Sequence, residues 1–356
     1  MINPYMGVDW QSTSHLPSLS HAHSRKKKDD GTPGTVYQSY LNNAVNGGAK
    51  HIAFSNYYKS EPFCPLTDWF NDVPDDVLCS PNAEHHNFGI NLCHINGIGC
   101  TLVSGQYGGL KPTGMAYNGI STWQEAFDAI LNTIVYDDAG GLTINHPVWS
   151  YMNTDIVESM LDFDQERVLG IEIYNDGEAS GMIRDGVNVG WAVDMWDEIL
   201  STGRRCWGFA VPDHGTERTV QWTGRNILLV NELTSYECLK AYREGRFYTK
   251  VYDSDLAFDY ITEDSRTVSV KASNAQSIHF IIDGIYHDFT GTEAEIIIPS
   301  SAVYCRVEAW TPYEWTDESG NPKNVTEKIF SNPIIYYNRN RNVNRFGEDV
   351  QRLYDL

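Results

Sequence analysis

The sequence predicts an α/β protein, a closed barrel of parallel strands and helices followed by a small β-sandwich. Three observations predict this order. Strand-like and helix-like segments alternate over roughly the first 240 residues. From residue 253 to 338 the chain instead carries short runs of alternating apolar and polar residues. Nine of the eleven histidines lie between residues 15 and 214, which indicates a first domain that uses histidines and a second that does not.

In the first part, alternation of strands with helices favours a parallel sheet, because each helix returns the chain to the end of the sheet at which the preceding strand began. Over this length a closed barrel is favoured over an open sheet, and no glycine-rich phosphate loop follows any strand. The predicted strands are 16–24, 51–56, 89–95, 141–146, 168–174, 206–211 and 226–230. The predicted helices are 36–46, 122–136 with Ser121 or Thr122 as its cap, 155–162, 189–201 and 235–244.

The second part has the two-residue period of strands. Asp283-Gly284 and Gly291 supply turns between its strands. The expected organisation is therefore a barrel at 1–252, a β-sandwich at 253–338 and a polar tail at 339–356 that forms a docking helix or is partly disordered. The predicted sandwich strands are 267–271, 277–282, 294–298 and 303–310.

Composition narrows the classes of partner and compartment. A net charge of −21 over 356 residues disfavours nucleic acid, while a small anionic substrate stays compatible because bound metals reverse the local field. No apolar run approaches the roughly 20 residues of a membrane helix, and the first residues lack the pattern of a secretory signal. The seven scattered cysteines form no C-x-x-C pair, so we expect reduced thiols in a cytoplasmic protein.

The chemistry begins at the predicted strand 16–24. Because residues i and i+2 of a strand share a face, His21 and His23 point the same way, with room for one cation between the imidazoles. They form a pair of metal ligands that needs a third and a fourth. An isolated H-x-H pattern is equally compatible with two ordinary histidines near a surface turn.

Further candidate ligands lie near the ends of other predicted strands, and in a parallel barrel these ends meet at one rim. His94 lies near the end of its strand, His146 is the last residue of its strand, and Asp213 and His214 follow another. Glu84 lies in an irregular segment before the His94 strand. A single strand-end histidine is usually structural, but five at one rim beside carboxylates indicate metal binding. Nitrogen and oxygen ligands without cysteine suit Zn, Mn or Fe.

Taken in order, these motifs resemble the PHP (polymerase and histidinol phosphatase) superfamily of metallohydrolases, in particular the branch with a C-terminal β-sandwich. The resemblance covers nearly the whole chain, and the ordered set is more specific than any one motif. The matching segments are 3–10, the H-x-H motif at 20–24, 30–31, 81–86, 94–99, 145–147, 170–175, 213–215 and 331–334.

The resemblance implies a distorted (β/α)7 barrel that binds two or three divalent transition metals at its rim. His21 and His23 hold the first metal, Glu84 bridges it to a second, and His94 and His146 complete that second site. A hydroxide that bridges the metals attacks phosphorus, and a histidine or a metal-bound water protonates the leaving group. The residues implied as metal ligands are His21, His23, Glu84, His94, His146, Asp213 and His214, of which Glu84 and His214 are also implied as catalytic.

The chain departs from the family pattern in three places. Asn56 and Tyr57 stand where the family has an aspartate and a histidine that binds the third metal. Pro212 stands where the last motif has an aspartate, for which Asp213 can substitute if the loop shifts by one residue. The loop 25–28 carries one arginine and three lysines, which either attract an anionic substrate or form a solvated surface. These departures predict that the third metal site is impaired and that the pair around Glu84 is intact.

Three further residues are candidates for substrate binding. Arg218 and Arg225 follow the last motif, where they either clamp a phosphate in bidentate fashion or form surface salt bridges. Tyr57 is a candidate hydrogen-bond donor to the leaving group.

The sequence therefore predicts a metal-dependent hydrolase, a phosphoesterase that acts on a small-molecule phosphate ester. Two alternatives stay open. The same metals can serve the hydrolysis of a carboxylic or carbamate ester, or the barrel can be degenerate and bind a metal or a ligand without turnover. The substrate, the metal and the oligomeric state are left open.

Overall fold

The protein is described by a computed structural model covering residues 1–24, 38–56, 67, 69–86, 93–102, 122–179, 182–217, 222–317 and 320–337. These residues form twenty strands and six α-helices, the longest helix having ten residues. The predicted tail 339–356, the basic loop 25–28 and residues Tyr57 and Arg218 lie outside this part of the chain. No helix within it is long and apolar enough to cross a membrane.

The first half of the chain alternates short strands with helices. Its elements are β1 Ser14–Leu19, α1 Gln38–Asn46, β2 His51–Ile52, β3 Leu78–Cys79, β4 Glu84–His86, β5 His94–Ile98, α2 Trp123–Leu131, β6 Gly141–Ile144, α3 Thr154–Leu161, β7 Val168–Asn175, α4 Asp176–Ala179, β8 Ile183–Arg184, β9 Val187–Asn188, α5 Val193–Ser201, β10 Trp207–Val211, β11 Arg225–Val230, α6 Ser235–Glu244 and β12 Phe247–Lys250.

The second half contains only strands among its described elements. They are β13 Ala257–Asp264, β14 Thr267–Ser273, β15 Ser277–Ile282, β16 Ile285–Thr290, β17 Glu293–Ile297, β18 Tyr304–Thr316, β19 Pro322–Ser331 and β20 Ile334–Ile335.

Local signals in the sequence explain several helix ends. Thr122 caps α2 in a capping box, with its hydroxyl accepting from the Glu125 N–H, so this predicted cap is confirmed. Thr234 caps α6 in the same way through its side chain. Gly245 ends α6 with a φ of 72°, a left-handed conformation that favours glycine.

The predicted parallel (β/α)7 barrel is wrong for the described residues. The strands form a five-stranded sheet in the order β10-β7-β6-β5-β4, a ten-stranded sheet in the order β16-β15-β18-β19-β12-β11-β1-β2-β3 with β20 beside β18, and two smaller sheets. Only the pairs β1–β2, β2–β3, β6–β7 and β7–β10 are parallel. The α/β alternation exists, but α2 and α6 each join strands that pair antiparallel, β5 with β6 and β11 with β12.

The five-stranded sheet packs its apolar face against helices α2, α3 and α5. Each helix contributes buried residues at helical spacing, such as Phe127 and Ile130 from α2 and Trp196 from α5. Ile144 and Ile171 come to the same cluster from the sheet. Burial of each large apolar side chain contributes about 1.5–3 kcal/mol to the free energy of folding. This core therefore stabilises the sheet whose strand ends carry the candidate site.

The strands after residue 253 form a second apolar core. Phe258 of β13 and Val270 of β14, from a three-stranded sheet, cluster with Phe280 of β15 and Val307 of β18, from the large sheet. The large sheet also crosses the predicted boundary at residue 252, because β12 pairs with β19. The predicted boundaries between barrel and sandwich, at 252/253, and between sandwich and tail, at 338/339, stay predictions.

Candidate metal centre

The carboxylate of Glu84, the first residue of β4, lies at the centre of a cluster of imidazoles. Its Oε1 is 3.0 Å from His94 Nδ1, 3.5 Å from His21 Nε2 and 3.6 Å from His146 Nε2. Its Oε2 faces His23 Nε2 at 3.4 Å. The structure thus brings together five residues that the sequence analysis selected from distant positions in the chain.

His86, which the sequence analysis left out of the ligand set, joins this cluster. Its Nε2 lies 3.1 Å from Glu84 Oε2, and its ring stacks on His94 with centroids 4.0 Å apart. The signal for it was present, since His86 lies two residues after Glu84 in β4 and therefore on the same face. His85 lies between them in the strand, and its Nε2 is 3.9 Å from Cys100 Sγ.

The order of strands explains why these residues meet. His146 and Asp213 each follow by two residues the end of a strand in the five-stranded sheet, β6 and β10. The prediction that His94 lies near the end of its strand is wrong, because His94 is the first residue of β5. Since β5 runs antiparallel to β6, its first residue lies at the edge where β6 ends. The backbone of His21 joins the same edge by accepting from Asp213 N–H at 3.0 Å.

Two groups of side chains in this cluster can hold a metal ion. The first is His21, His23 and Asp213, all buried. The second is Glu84, His86 and His94. In each group the candidate ligand atoms lie within 4.8 Å of one another, and imidazole nitrogens and carboxylate oxygens are the ligands expected for Zn, Mn or Fe.

A hydrogen bond from His21 to a second carboxylate makes the first group fit a metal. Glu172 Oε1 is 2.6 Å from His21 Nδ1, which leaves Nε2 of that ring to face His23 Nε2 at 3.3 Å and Asp213 Oδ1 at 3.2 Å. A histidine held by a carboxylate in this way presents its other nitrogen as a metal ligand. The two imidazole nitrogens and the carboxylate oxygen converge in a buried space, where a cation could bind all three as ligand atoms.

Electrostatics in the cluster favour a bound cation. Burial raises the pKa of Glu84, but His21, His86 and His94 outweigh it and hold that pKa well below its usual range. Burial likewise opposes ionisation of Asp213, whose pKa is brought well below the usual range by its histidine neighbours, chiefly His21. Burial lowers the pKa of His94 to about 3, so this ring is neutral and able to act as a ligand.

His21, His23 and His146 behave differently in the metal-free chain. Burial lowers the pKa of each ring, but the neighbouring carboxylates, Asp213 and Glu84 among them, outweigh burial and raise it. A proton then holds the place where a metal would bind. Metal binding at these rings releases protons and becomes weaker as the pH falls.

Two candidate ligands adopt a left-handed backbone conformation, which is uncommon for residues other than glycine. His146 has a φ of 27° and Asp213 a φ of 49°. Glu172 Oε2 accepts from His146 N–H at 2.8 Å, while Asn175 Nδ2 donates to Glu172 Oε2 at 2.9 Å and to Asp213 Oδ2 at 3.1 Å. Such backbone strain concentrates at functional sites, where surrounding hydrogen bonds maintain it.

Glu172 and Asn175 are therefore functional candidates to which the sequence analysis assigned no role. Both belong to β7, where every residue is buried. Glu172 is the only ionisable acid in this otherwise mainly apolar strand, and that contrast was the signal for it. A charged residue is almost never fully buried unless it is paired.

The remaining predicted residues lie at the margin of the cluster or away from it. The His214 side chain is 37% exposed, and its ring stacks on His23 with centroids 4.2 Å apart. Asn56 accepts from Ser24 N–H and donates to Ser24 Oγ, both at 3.0 Å, so its amide is engaged outside the ligand groups. Asp213, the residue after Pro212, lies in the first ligand group with His21 and His23, and its substitution for the family's aspartate stays a prediction.

Arg225 is buried in β11 and contacts no member of the cluster. Its Nη1 donates to Asp253 Oδ1 at 2.7 Å and to Gly47 O at 3.0 Å, and its guanidinium lies over the Trp222 ring. These contacts match the ion-pair interpretation more closely than phosphate binding.

Comparisons with known proteins add little to this geometry. No protein-family model matches the chain, and no curated protein matches it in sequence. Among solved structures, it is similar to a 2.20 Å crystal structure of a two-domain protein containing a predicted PHP-like metal-dependent phosphoesterase from Bacteroides vulgatus ATCC 8482. The two chains are 13% identical, the alignment covers 92% of this chain and 97% of the other, and the TM-score is 0.42. A similarity at this level supports no inference about the site.

Proposed function

We propose that this protein is a metal-dependent hydrolase of the PHP type, a phosphoesterase that acts on small-molecule phosphate esters with two divalent transition metals. The observation that carries the proposal is the position of Glu84. Its Oε1 and Oε2 face His21 and His23 of the first ligand group at 3.5 and 3.4 Å, and its own group contains His86 and His94. A carboxylate that faces two groups of candidate ligands is able to bridge two metals.

Each ligand residue has a defined task in this proposal. His21, His23 and Asp213 would hold the first metal, and Glu84, His86 and His94 would hold the second. Glu84 would also serve the first site, and His146, whose Nε2 faces Glu84 Oε1, would complete the cluster. Since the Asn56 amide is engaged with Ser24, two metals are expected instead of three.

When bound, the metals supply a Lewis acid for the phosphoryl oxygens and acidify a water molecule. The chain provides the rest. Glu172 orients His21 through Nδ1, and Ser150 Oγ, 3.2 Å from His146 Nδ1, orients His146. His214, partly exposed beside His23, would serve as the proton donor to the leaving oxygen. The buried ligand residues exclude bulk water from the inner side of the cluster.

Elemental analysis combined with two chromogenic substrates tests the proposal. Protein purified without added metal, then loaded with Mn or Zn, is expected to hold about two equivalents and to hydrolyse p-nitrophenyl phosphate faster than p-nitrophenyl acetate. The reverse preference would favour the carboxylic ester hydrolase. Less than one equivalent of metal, together with no turnover of either substrate, would favour a non-catalytic binding module and would refute the proposal.

A further inference from the structure

A short hairpin stands beside the candidate metal centre. Strands β8 and β9 form it, and it follows β7 and α4 along the chain. Arg184 of β8 donates from Nη1 to Trp149 O at 3.0 Å. The Trp149 ring in turn lies against two members of the cluster, with centroids 4.9 Å from His146 and 5.5 Å from His94. The hairpin is therefore tied to the residue that borders the ligand groups.

The guanidinium of Arg184 lies 3.9 Å from the centroid of the Tyr151 ring and makes no ion pair with any described carboxylate. Arg205, Arg243 and Arg266 likewise have no ion pair among the described residues, and what distinguishes Arg184 is its contact with Trp149 beside the candidate metal centre. Arg204, Arg225 and Arg306 each pair with an aspartate. A half-buried arginine that is stacked on a ring and has no carboxylate partner is placed to receive an anionic group from a ligand.

Two exposed side chains lie beside this arginine. They are Tyr151, 65% exposed, whose ring the guanidinium covers, and Val187, 53% exposed, which is the partner of Arg184 across the hairpin. Asp185 and Gly186, which form the turn of the hairpin, both have positive φ, 51° and 82°, as a two-residue type I′ turn requires. An aromatic ring and an apolar side chain beside an arginine, at the margin of the candidate metal centre, suit the binding of part of a substrate.

We propose that Trp149, Tyr151 and Arg184 form a subsite for the leaving group of the substrate, and that this leaving group is a planar organic moiety carrying a carboxylate. The inference rests on the proposed phosphoesterase activity and adds its specificity. The phosphoryl group would lie at the metals, the ring of the leaving group would pack on the aromatic side chains, and its carboxylate would accept from the Arg184 guanidinium. In the reaction, only the P–O bond of the phosphate ester breaks, and the carboxylate of the leaving group is not changed chemically.

Binding of two phosphonates, measured by calorimetry on Mn-loaded protein, tests the subsite without turnover. We expect 4-carboxyphenylphosphonate to bind about tenfold more tightly than phenylphosphonate, the difference that one charge-assisted contact at a partly exposed site supplies. Arg184→Gln should abolish this preference and leave the affinity for phenylphosphonate within about twofold. Arg184→Lys should retain a smaller preference, because a lysine keeps the charge but loses the fork geometry.

The matched control is Arg266→Gln. Arg266 also lies over a tyrosine ring, 4.2 Å from the centroid of Tyr336, and donates to a backbone carbonyl, but it belongs to the second half of the chain. This variant should keep the full preference. Equal binding of the two phosphonates by the unaltered protein, absence of binding of both, or an Arg184→Gln variant that keeps the preference would each overturn the subsite.

Metal content and turnover of p-nitrophenyl phosphate, measured on the same preparations, separate the two failures. A protein that holds two metals and turns over this ester, yet shows no preference for the carboxylated phosphonate, contradicts only the subsite. A protein without metals or turnover contradicts the proposed function, and the subsite inference falls with it.

Discussion

Replacing Glu84 by glutamine removes one negative charge from the centre of the histidine cluster while keeping the shape of the side chain. Its two oxygens lie between 3.0 and 3.6 Å from nitrogens of His21, His23, His86, His94 and His146. Mutation of a residue that only orients a metal ligand typically weakens binding 10–100-fold. Because Glu84 is proposed to contact both metals directly, we expect Glu84→Gln to weaken the binding of each metal by about 100-fold or more.

This loss of metal affinity also lowers the free energy of unfolding in the presence of Mn. At a free Mn concentration about 100 times the dissociation constant, a ligand that binds only the folded state stabilises it by about 2.7 kcal/mol per site. If the dissociation constant rises 100-fold, the same concentration contributes about 0.4 kcal/mol. Chemical denaturation with and without Mn, together with metal analysis after dialysis, measures both quantities. A chelator should remove the extra stability from the unaltered protein and change the variant little.

The matched control is Glu327→Gln. Glu327 is also buried, but its Oε1 faces Lys250 Nζ at 3.6 Å and lies outside the cluster. This variant should keep the full Mn-dependent stabilisation, whatever its effect on the metal-free protein. A Glu84→Gln variant that still holds two equivalents of metal with unchanged affinity would refute the bridging role.

Three further predictions concern residues around and beyond the site. Glu172→Gln should weaken binding of the metal at His21 by about 10–100-fold and leave binding of the second metal unchanged, because the His21 ring loses the carboxylate that orients it. Equilibrium titration with metal measures both affinities. Burial lowers the pKa of His51 to about 3, below that of the unfolded chain, so the unfolded state takes up a proton first as the pH falls. Stability should therefore fall below pH 6.5, by about 1.4 kcal/mol at pH 5.5 from this residue, and His51→Gln should flatten that dependence in denaturation curves. Arg306→Leu should lower the free energy of unfolding by about 3–5 kcal/mol, since it leaves Asp197 and Glu308 without their buried partner.

Controls and contrary results differ for the three. Equal loss of both metals in the Glu172 variant would show that its role is not confined to one site. The same acid dependence in the His51 variant and the unaltered protein would show that this ring does not titrate abnormally. For Arg306 the comparison is Arg167→Leu, which breaks a partly exposed pair with Asp164 and should cost less than about 1 kcal/mol. A similar cost for both arginines would contradict the importance of burial.

The order of strands and helices follows closely from local patterns. The predicted segments 168–174, 206–211 and 235–244 correspond to β7, β10 and α6 within one residue at each end. Hydrophobic runs, caps and glycines act within a few residues of the chain, so a sequence reveals them. The direction in which two strands pair depends on contacts between distant residues, and the parallel barrel failed at that step.

The candidate site shows the same division. The histidines and acids near strand ends were recognisable one by one, since polar residues at such positions are rarely needed for packing. His94 was selected for the wrong reason, because it begins a strand where it was expected to end one. Antiparallel pairing of β5 with β6 nevertheless brings it to the same edge. The metal roles of these residues stay predictions until metal is measured.

The sequence by itself determined which side chains are available for chemistry and the elements that carry them, because these follow from residue type and short-range periodicity. Only the tertiary structure decided that Glu172 orients His21, that His86 joins Glu84, and that Arg225 is occupied by Asp253. Each of these contacts except that of His86 joins residues more than 25 positions apart, so packing of the sheets, rather than any local signal, selects the partner.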